Sequence, residues 1–299
     1  MNRPARLVEY GVAIDSDSMV TPPDTAEFAL EADHPGLGDD AYIARRKFLF
    51  DITRAARLAK EPPPRIEYTE EETRIWRDVS PKLDELHVKY ASEIYLKAKR
   101  ELAIGEREIP QLRTLSERLQ RETEMRLVPA EGALPYRTFY ESIAGRGFPV
   151  TQFLRHGSHP EFTPEPDMIH DCLGHVPPLM NRDYAELLTL IGKAAATTPN
   201  GEHVLALKRF SWFSIEFGLI EERGEVKVFG AGILSSFGEI PHSLFSPSAT
   251  RRPFVTDDVI RRDYDPSHMQ VDFYIAPSFA FLRGELEGLV KRLGIDIRN

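Results

Sequence analysis

Apolar residues recur at helical spacing through most of the first 125 positions, and the segment ends carry recognisable start and stop signals. Asp39-Asp40 precede a pattern running through Tyr42, Ile43, Phe48 and Ile52 toward Leu58, which predicts a capped helix halted by Pro62-Pro63-Pro64. Thr69 with Glu72 has the spacing of a capping box for a helix holding Ile75 and Trp76. Ser80-Pro81 predicts a restart, with Leu83, Leu86, Tyr90, Ile94 and Leu102 forming a longer helix that Gly105 stops. Thr114 with Glu117 predicts a second capping box, opening a helix through Leu115 and Leu119. Residues 1–23 show no sustained periodicity and predict an irregular arm, followed by a turn at Asp33-His34-Pro35-Gly36.

From Leu127 the texture changes. Gly132, Pro135, Gly145, Gly147 and Pro149 cut the chain into short pieces, with a helical turn through Phe139 and Ile143 and a short strand from Val150 to Leu154. Tyr184 to Thr197 predicts a helix. His203 to Glu222 predicts a long, strongly apolar one, with Glu216 in its middle. Val226–Phe229 and Val271–Ile275 are expected strands, Gly230 to Gly238 a loop of small residues, and Phe279–Leu293 a final helix. The expected class is mainly α, of the α+β kind, with residues 24–299 as one domain.

Composition narrows the function. Hydrophobic residues make up 41% and charged residues 28%, a globular balance, and no apolar run is long enough to cross a bilayer. A formal net charge of −9 argues against general nucleic-acid affinity, which depends on Lys and Arg neutralising phosphates. The single cysteine, Cys172, permits no intrachain disulfide, and the N-terminus shows no signal-peptide pattern. A cytoplasmic protein acting on small molecules is the expectation.

The candidate chemistry centres on His170-Asp171-Cys172-Leu173-Gly174-His175, with prolines on both flanks. Two histidines five apart are not the zinc-protease pair, whose spacing is four. On an α-helix an i,i+5 pair is turned away from a single face, so His175 is expected where a helix ends, at Gly174 and the following prolines. A third ligand must then come from elsewhere. Glu216, an acid in apolar surroundings, needs a positive partner, and a divalent metal would supply one. Two imidazoles and a carboxylate match the facial triad of non-haem iron oxygenases, with zinc the alternative from ligand type alone.

Several further segments accompany these ligands: Ala32 to Gly36, Ala44-Arg45-Arg46-Lys47, Ile109-Pro110-Gln111-Leu112, Arg155-His156-Gly157-Ser158, Thr163 to Asp167, Leu173 to Pro177, Trp212-Phe213 with Glu216 to Leu219, and Gly230 to Glu239. Together they resemble the pterin-dependent aromatic amino acid hydroxylases, most closely the short bacterial phenylalanine hydroxylases, over about residues 24 to 280.

The resemblance implies a helical basket with a few short strands around an iron and pterin site within residues 127–240. It implies Fe(II) held by His170, His175 and Glu216, and Arg155 clamping the substrate carboxylate with Asp167 orienting it. Thr163 and Ser235 would add hydrogen bonds, Ser235 also supporting His170, while Pro166, Trp212 and Phe217 would wall the ring pocket. A tetrahydropterin would stack on Phe139, touched by Gly132 and Leu134, and O2 would be the co-substrate. Three positions depart from the family pattern: Asp171, the fourth residue expected at the pterin, where a longer glutamate is usual, Phe162 where tyrosine is common, and Ser211 where an aromatic often stands. The expected reaction is L-phenylalanine to L-tyrosine. Tryptophan hydroxylation and 3-hydroxylation of phenylalanine are the rivals within the family, a metal hydrolase or an inactive binding protein those outside it. The resemblance also implies a catalytic domain alone, and a monomer, since the last helix is too short for a stable coiled coil.

Overall fold

The computed structural model describes residues 8–9, 12–13, 28–31, 34–161, 163, 165–266 and 268–297. The rest of the arm to residue 23, Asp33 of the expected turn, and Phe162 lie outside the described residues. The strands are β1 (Val8–Glu9), β2 (Val12–Ala13), β3 (Arg126–Pro129), β4 (Gly147–Val150), β5 (Gly218–Glu222), β6 (Glu225–Val228), β7 (Thr250–Pro253) and β8 (Asp272–Ala276). The helices are α1 (Asp40–Leu58), α2 (Glu70–Tyr90), α3 (Glu93–Glu101), α4 (Leu112–Thr123), α5 (Tyr136–Ala144), α6 (Arg182–Thr197), α7 (Gly201–Ser211), α8 (Ala231–Leu234), α9 (Glu239–Phe245), α10 (Thr256–Val259) and α11 (Phe279–Arg292). The architecture is mainly helical with small sheets, as the sequence predicts.

Caps account for the starts of the early helices. The Asp39 side chain accepts the Tyr42 amide at 3.0 Å. At α2 the Thr69–Glu72 box is complete, Thr69 Oγ1 accepting from the Glu72 amide at 3.1 Å and Glu72 Oε2 from the Thr69 amide at 2.7 Å. The restart expected at Ser80-Pro81 does not occur: Pro81 is inside α2, which runs unbroken to Tyr90. The break falls instead at Ala91-Ser92, where the Ser92 amide leaves the helical ladder for the Val228 carbonyl at 2.9 Å and its side chain caps α3. Pairing with a distant strand outweighs the local periodicity. Thr114 lies inside α4, so no capping box forms there; Gln111 is the N-cap residue, and its side-chain amide bonds both the amide and the carbonyl of Ile66.

Two parts of the middle chain differ from expectation. Residues 151–154 are not a strand; β4 ends at Val150 and runs parallel to the unanticipated β3, with α5 as the crossover. The long helix expected from His203 to Glu222 is three elements: α7, a π turn at Trp212–Glu216, and β5. A four-stranded sheet has the order β6-β5-β8-β7, antiparallel at β5–β6 and parallel at the other two pairs. The Gly230 segment, expected as a loop, contains the one-turn helix α8. A continuous apolar cluster from Ile75 to Val290 unites α2–α7, α11 and the four-stranded sheet, and α1 adds a small cluster of Leu49 with Ile66 and Phe153.

Candidate metal centre and adjoining cleft

Residues 170–175 form a π turn, with the Val176 amide donating to the Asp171 carbonyl at 3.1 Å. In this i to i+5 geometry residues five apart face the same way, which α-helical spacing forbids. The two imidazoles therefore converge, His170 Nε2 to His175 Nε2 being 3.1 Å. The pair meets within one π turn, and not, as expected, because a helix ends between the two histidines. Gly174 does not act as a left-handed cap; a Cβ there would lie 2.8 Å from the Ala231 carbonyl oxygen, so glycine permits the π turn to touch α8.

Glu216 ends the second π turn, whose closing bond runs from the Phe217 amide to the Trp212 carbonyl at 2.9 Å. Its carboxylate oxygens lie 2.9 Å from His175 Nε2 and 3.7 Å from His170 Nε2. Gly230 makes this approach possible, because a Cβ there would be 2.2 Å from the Glu216 carbonyl oxygen. Among the described residues these three are the cluster able to hold a metal ion, their ligand atoms all within 4.8 Å.

The protonation pattern fits a cation at the centre. Burial lowers His170 to about 4 and His175 to about 3, so both rings are neutral. Ser235 Oγ donates its one hydrogen to the Ala231 carbonyl at 2.8 Å, and so accepts from His170 Nδ1 at 2.9 Å. That fixes the Nδ1–H tautomer and leaves a lone pair on Nε2, directed at the other ligands. Glu216 Oε1, close as it is to His175, has no hydrogen-bond partner there. Burial raises the Glu216 carboxyl to about 8. Two imidazole nitrogens and a carboxyl group converge here in a buried place, and a divalent ion bound by two imidazoles and a carboxylate is the group that suits this donor set.

The four residues expected to touch a pterin all line one cleft beside the ligands: Gly132, Leu134, Phe139 and Asp171, together with Pro166, His170 and His175. Phe148, Pro149, Thr151 and Ala130 complete it, and the sequence reading had missed them. The Phe148 ring rests on His175 at 4.8 Å between centroids. Thr151 gives Asp171 Oδ2 two hydrogen bonds, from its amide at 2.7 Å and its hydroxyl at 2.8 Å. Burial nonetheless raises Asp171 to about 7.

Arg155 and Asp167 form a buried bidentate pair, Nε to Oδ2 and Nη2 to Oδ1 both at 2.9 Å. Burial opposes ionisation of Asp167, but the Arg155 charge and the hydrogen bonds from Arg155 and the His170 amide prevail and hold its carboxyl below the usual value. Arg155 Nη1 also donates to the Pro160 carbonyl at 3.1 Å. Three of the five guanidinium N–H groups are thus engaged, and two remain to meet a carboxylate. Thr163 closes a turn within its loop, donating to the Glu165 carbonyl at 2.6 Å. Trp212 packs on Phe217 at 4.6 Å and stacks with Tyr264 at 4.2 Å between centroids. Its indole N–H donates to Gln270 Oε1 at 2.8 Å. Neither Tyr264 nor Gln270 carries a local signal in the sequence, each being more than fifty residues beyond Trp212.

Fold and site together define a helical protein with a buried cluster of two histidines and a glutamate able to hold a metal ion, beside a cleft. Residues 13–296 match the family model of the biopterin-dependent aromatic amino acid hydroxylases, and the chain belongs to that family. It is 40% identical over 255 residues to the phenylalanine-4-hydroxylase of Rattus norvegicus, covering 84% of this chain and 56% of that one. It is 38% identical over 268 residues to the tyrosine 3-monooxygenase of Canis lupus familiaris, covering 88% and 54%. The chain thus spans little more than half the length of these relatives. Among solved structures, the phenylalanine hydroxylase of Chromobacterium violaceum with bound iron(III) and 7,8-dihydrobiopterin superimposes with a TM-score of 0.73 at 29% identity, covering 82% of this chain and 92% of that one. The enzyme of Legionella pneumophila gives 0.71 at 29% identity, covering 75% and 95%.

Proposed function

We propose that the chain hydroxylates L-phenylalanine to L-tyrosine with Fe(II), a tetrahydropterin and O2. The observation that carries this is the meeting of His170, His175 and Glu216 at the wall of a cleft also lined by Phe139 and Asp171. Iron and reduced pterin, when bound, supply the oxygen activation and the electrons that no side chain provides. The protein's part is binding, orientation and exclusion of water.

His170, His175 and Glu216 hold the metal, and Ser235 keeps His170 in the tautomer that presents Nε2. Phe139 offers a face to the pterin, with Gly132 and Leu134 beside it and Asp171 presenting the oxygen that Thr151 does not occupy. The two remaining N–H groups of Arg155 take the substrate carboxylate, and Asp167 fixes the plane of the guanidinium. Pro166, Trp212 and Phe217 enclose the ring. The polar atom on these walls, the Trp212 N–H, is already bound to Gln270. The solved structures the chain resembles, bacterial phenylalanine hydroxylases, favour phenylalanine over tyrosine and tryptophan.

We read residues 24–299 as one catalytic domain acting as a monomer. The buried face of α11, Leu282, Leu286 and Leu289, is already spent within the chain and is not free to pair helices between copies.

The test is incubation with Fe(II), tetrahydropterin and O2 and with phenylalanine, tyrosine or tryptophan, products being identified by chromatography and mass. Para-tyrosine from phenylalanine should dominate. A preference for tyrosine or tryptophan by kcat/KM, or meta-tyrosine as the main product, would overturn the substrate assignment. Iron binding without any pterin-dependent product would overturn the enzyme assignment.

A further inference from the structure

The two prolines after the ligand pair create a problem that residues of α2 and α3 solve. The Leu173 carbonyl, midway between His170 and His175, would be met in a helix by the amide four or five residues on. Those residues are Pro177 and Pro178, which have no N–H. A buried carbonyl left bare costs about 1–3 kcal/mol. The hydroxyl of Tyr95, a fully buried residue of α3, donates to it at 2.7 Å.

The same group of side chains reaches the other half of the site. His87 of α2, also fully buried, meets the Leu234 carbonyl with Nε2 at 2.6 Å. Leu234 directly precedes Ser235, the partner of His170 Nδ1. A carbonyl only accepts, so His87 Nε2 carries the proton, and burial keeps the ring neutral at about 3. Its Nδ1 then accepts. Tyr95 lies 3.2 Å from it, but the one Tyr95 hydrogen is given to Leu173, so the donor is Lys99 Nζ at 3.4 Å. Lys99 in turn is anchored by Asp84 at 2.5 Å.

We propose that Tyr95 and His87 are positioning residues that set the geometry of the metal ligands, Tyr95 by holding the π turn through Leu173 and His87 by holding α8 through Leu234. Neither touches the metal, the cleft or the Arg155 pair. They form a strut that ties the histidine-bearing π turn and the end of α8, next to Ser235, to the α2–α3 scaffold, with Lys99 and Asp84 closing its outer end. This rests on His170, His175 and Glu216 being the metal ligands.

The test uses the full chain, freed of metal and titrated with Co(II), whose visible absorption reports ligand geometry. Tyr95→Phe removes one oxygen and leaves the ring. It should weaken Co(II) binding about tenfold or more and shift the visible bands, as loss of a supporting hydrogen bond behind metal ligands does. Thr189→Ala is the control, removing a buried hydroxyl that bonds the Ala185 carbonyl of its own helix and Met125 Sδ but none of the ligand-bearing segments; it should leave affinity and spectrum unchanged. His87→Gln keeps a donor for Leu234 and should bind Co(II) more tightly than His87→Leu. A folded Tyr95→Phe with wild-type affinity and spectrum would overturn the role of Tyr95, and equal affinities in the two His87 variants that of His87. If Tyr95→Phe fails to fold, the His87 pair decides. A wild-type chain that takes up no Co(II) removes the metal assignment, and this inference with it.

Discussion

Asp167→Asn is the most informative single change, because Asp167 is where the substrate side and the metal side of the site meet. Its Oδ2 accepts the Arg155 amide and Nε, both at 2.9 Å, and its Oδ1 accepts Arg155 Nη2 at 2.9 Å and the His170 amide at 3.0 Å. Asparagine keeps the shape but turns one oxygen into a donor. In one orientation the new NH2 faces the Arg155 amide and Nε; flipped, it faces Nη2 and the His170 amide. Either way two of four bonds are lost, donors confront donors, and the Arg155 charge is left buried without its counter-charge. Breaking a buried pair from one side costs about 3–5 kcal/mol. Against an ordinary total of about 5–15 kcal/mol, the variant should still fold at 25 °C, but barely. Urea unfolding of wild type and variant at equal metal loading measures the loss. The variant should also show a raised KM for the amino acid, since the guanidinium loses its fixed plane. A loss below about 1 kcal/mol with an unchanged KM would refute the reasoning and mean that the pair is dispensable to both halves of the site.

Arg155→Lys should retain metal yet lose roughly a hundredfold in kcat/KM, about 2.7 kcal/mol, because an ammonium cannot pair two-pronged with Asp167 and the substrate together; steady-state kinetics with unchanged kcat/KM would exclude Arg155 from substrate binding. Gly230→Ala places a methyl group against the Glu216 carbonyl and should cost about 1–3 kcal/mol and reduce bound iron, which metal analysis alongside thermal unfolding would show. Full iron at an unchanged Tm would contradict the close approach. Glu239 gives a pH signature: burial raises its carboxyl from 4.5 to about 7, against the opposing hydrogen bond from the Gln270 amide. The folded state therefore binds the extra proton between those two values, and stability falls as pH rises through that window and is level above it. Glu239→Gln, neutral throughout, should lack this fall, so the variant gains on wild type by on the order of 2 kcal/mol between pH 5 and 8. Stability profiles that run parallel would show that Glu239 does not titrate there.

Much of this was legible wherever chemistry is local. The Asp39 cap and the Thr69–Glu72 box lie within four residues of the amides they serve, and both form. The four residues expected around the pterin fall in one cleft with two of the metal ligands. What could not be read was set by distant partners. Ser92 leaves its helix for Val228, Gln111 turns its side chain to Ile66, and Trp212 is held by Gln270 and Tyr264. A lone glutamine or tyrosine in an irregular segment gives no sign of the ring it will meet.

The ligand segments failed for a more specific reason. Both are π turns, at His170–His175 and Trp212–Glu216, and a reading built on 3.6 residues per turn misplaces every side chain beyond the turn. That is why a helix end was expected between the histidines and why Glu216 was placed in mid-helix rather than at a helix-to-strand junction. Yet the clues were in the sequence. Pro177 and Pro178 withhold the amides that an α-helix or a π turn would need at Leu173, and Gly174 and Gly230 allow backbone to approach at 2.8 Å and 2.2 Å from where a Cβ would stand. Residues that defeat regular structure stand on either side of the ligands because the metal requires three side chains from two segments to meet at one point. The two wide turns achieve that; the Leu173 carbonyl that the first leaves unmet is taken by Tyr95, while His87 takes the Leu234 carbonyl of the adjoining α8.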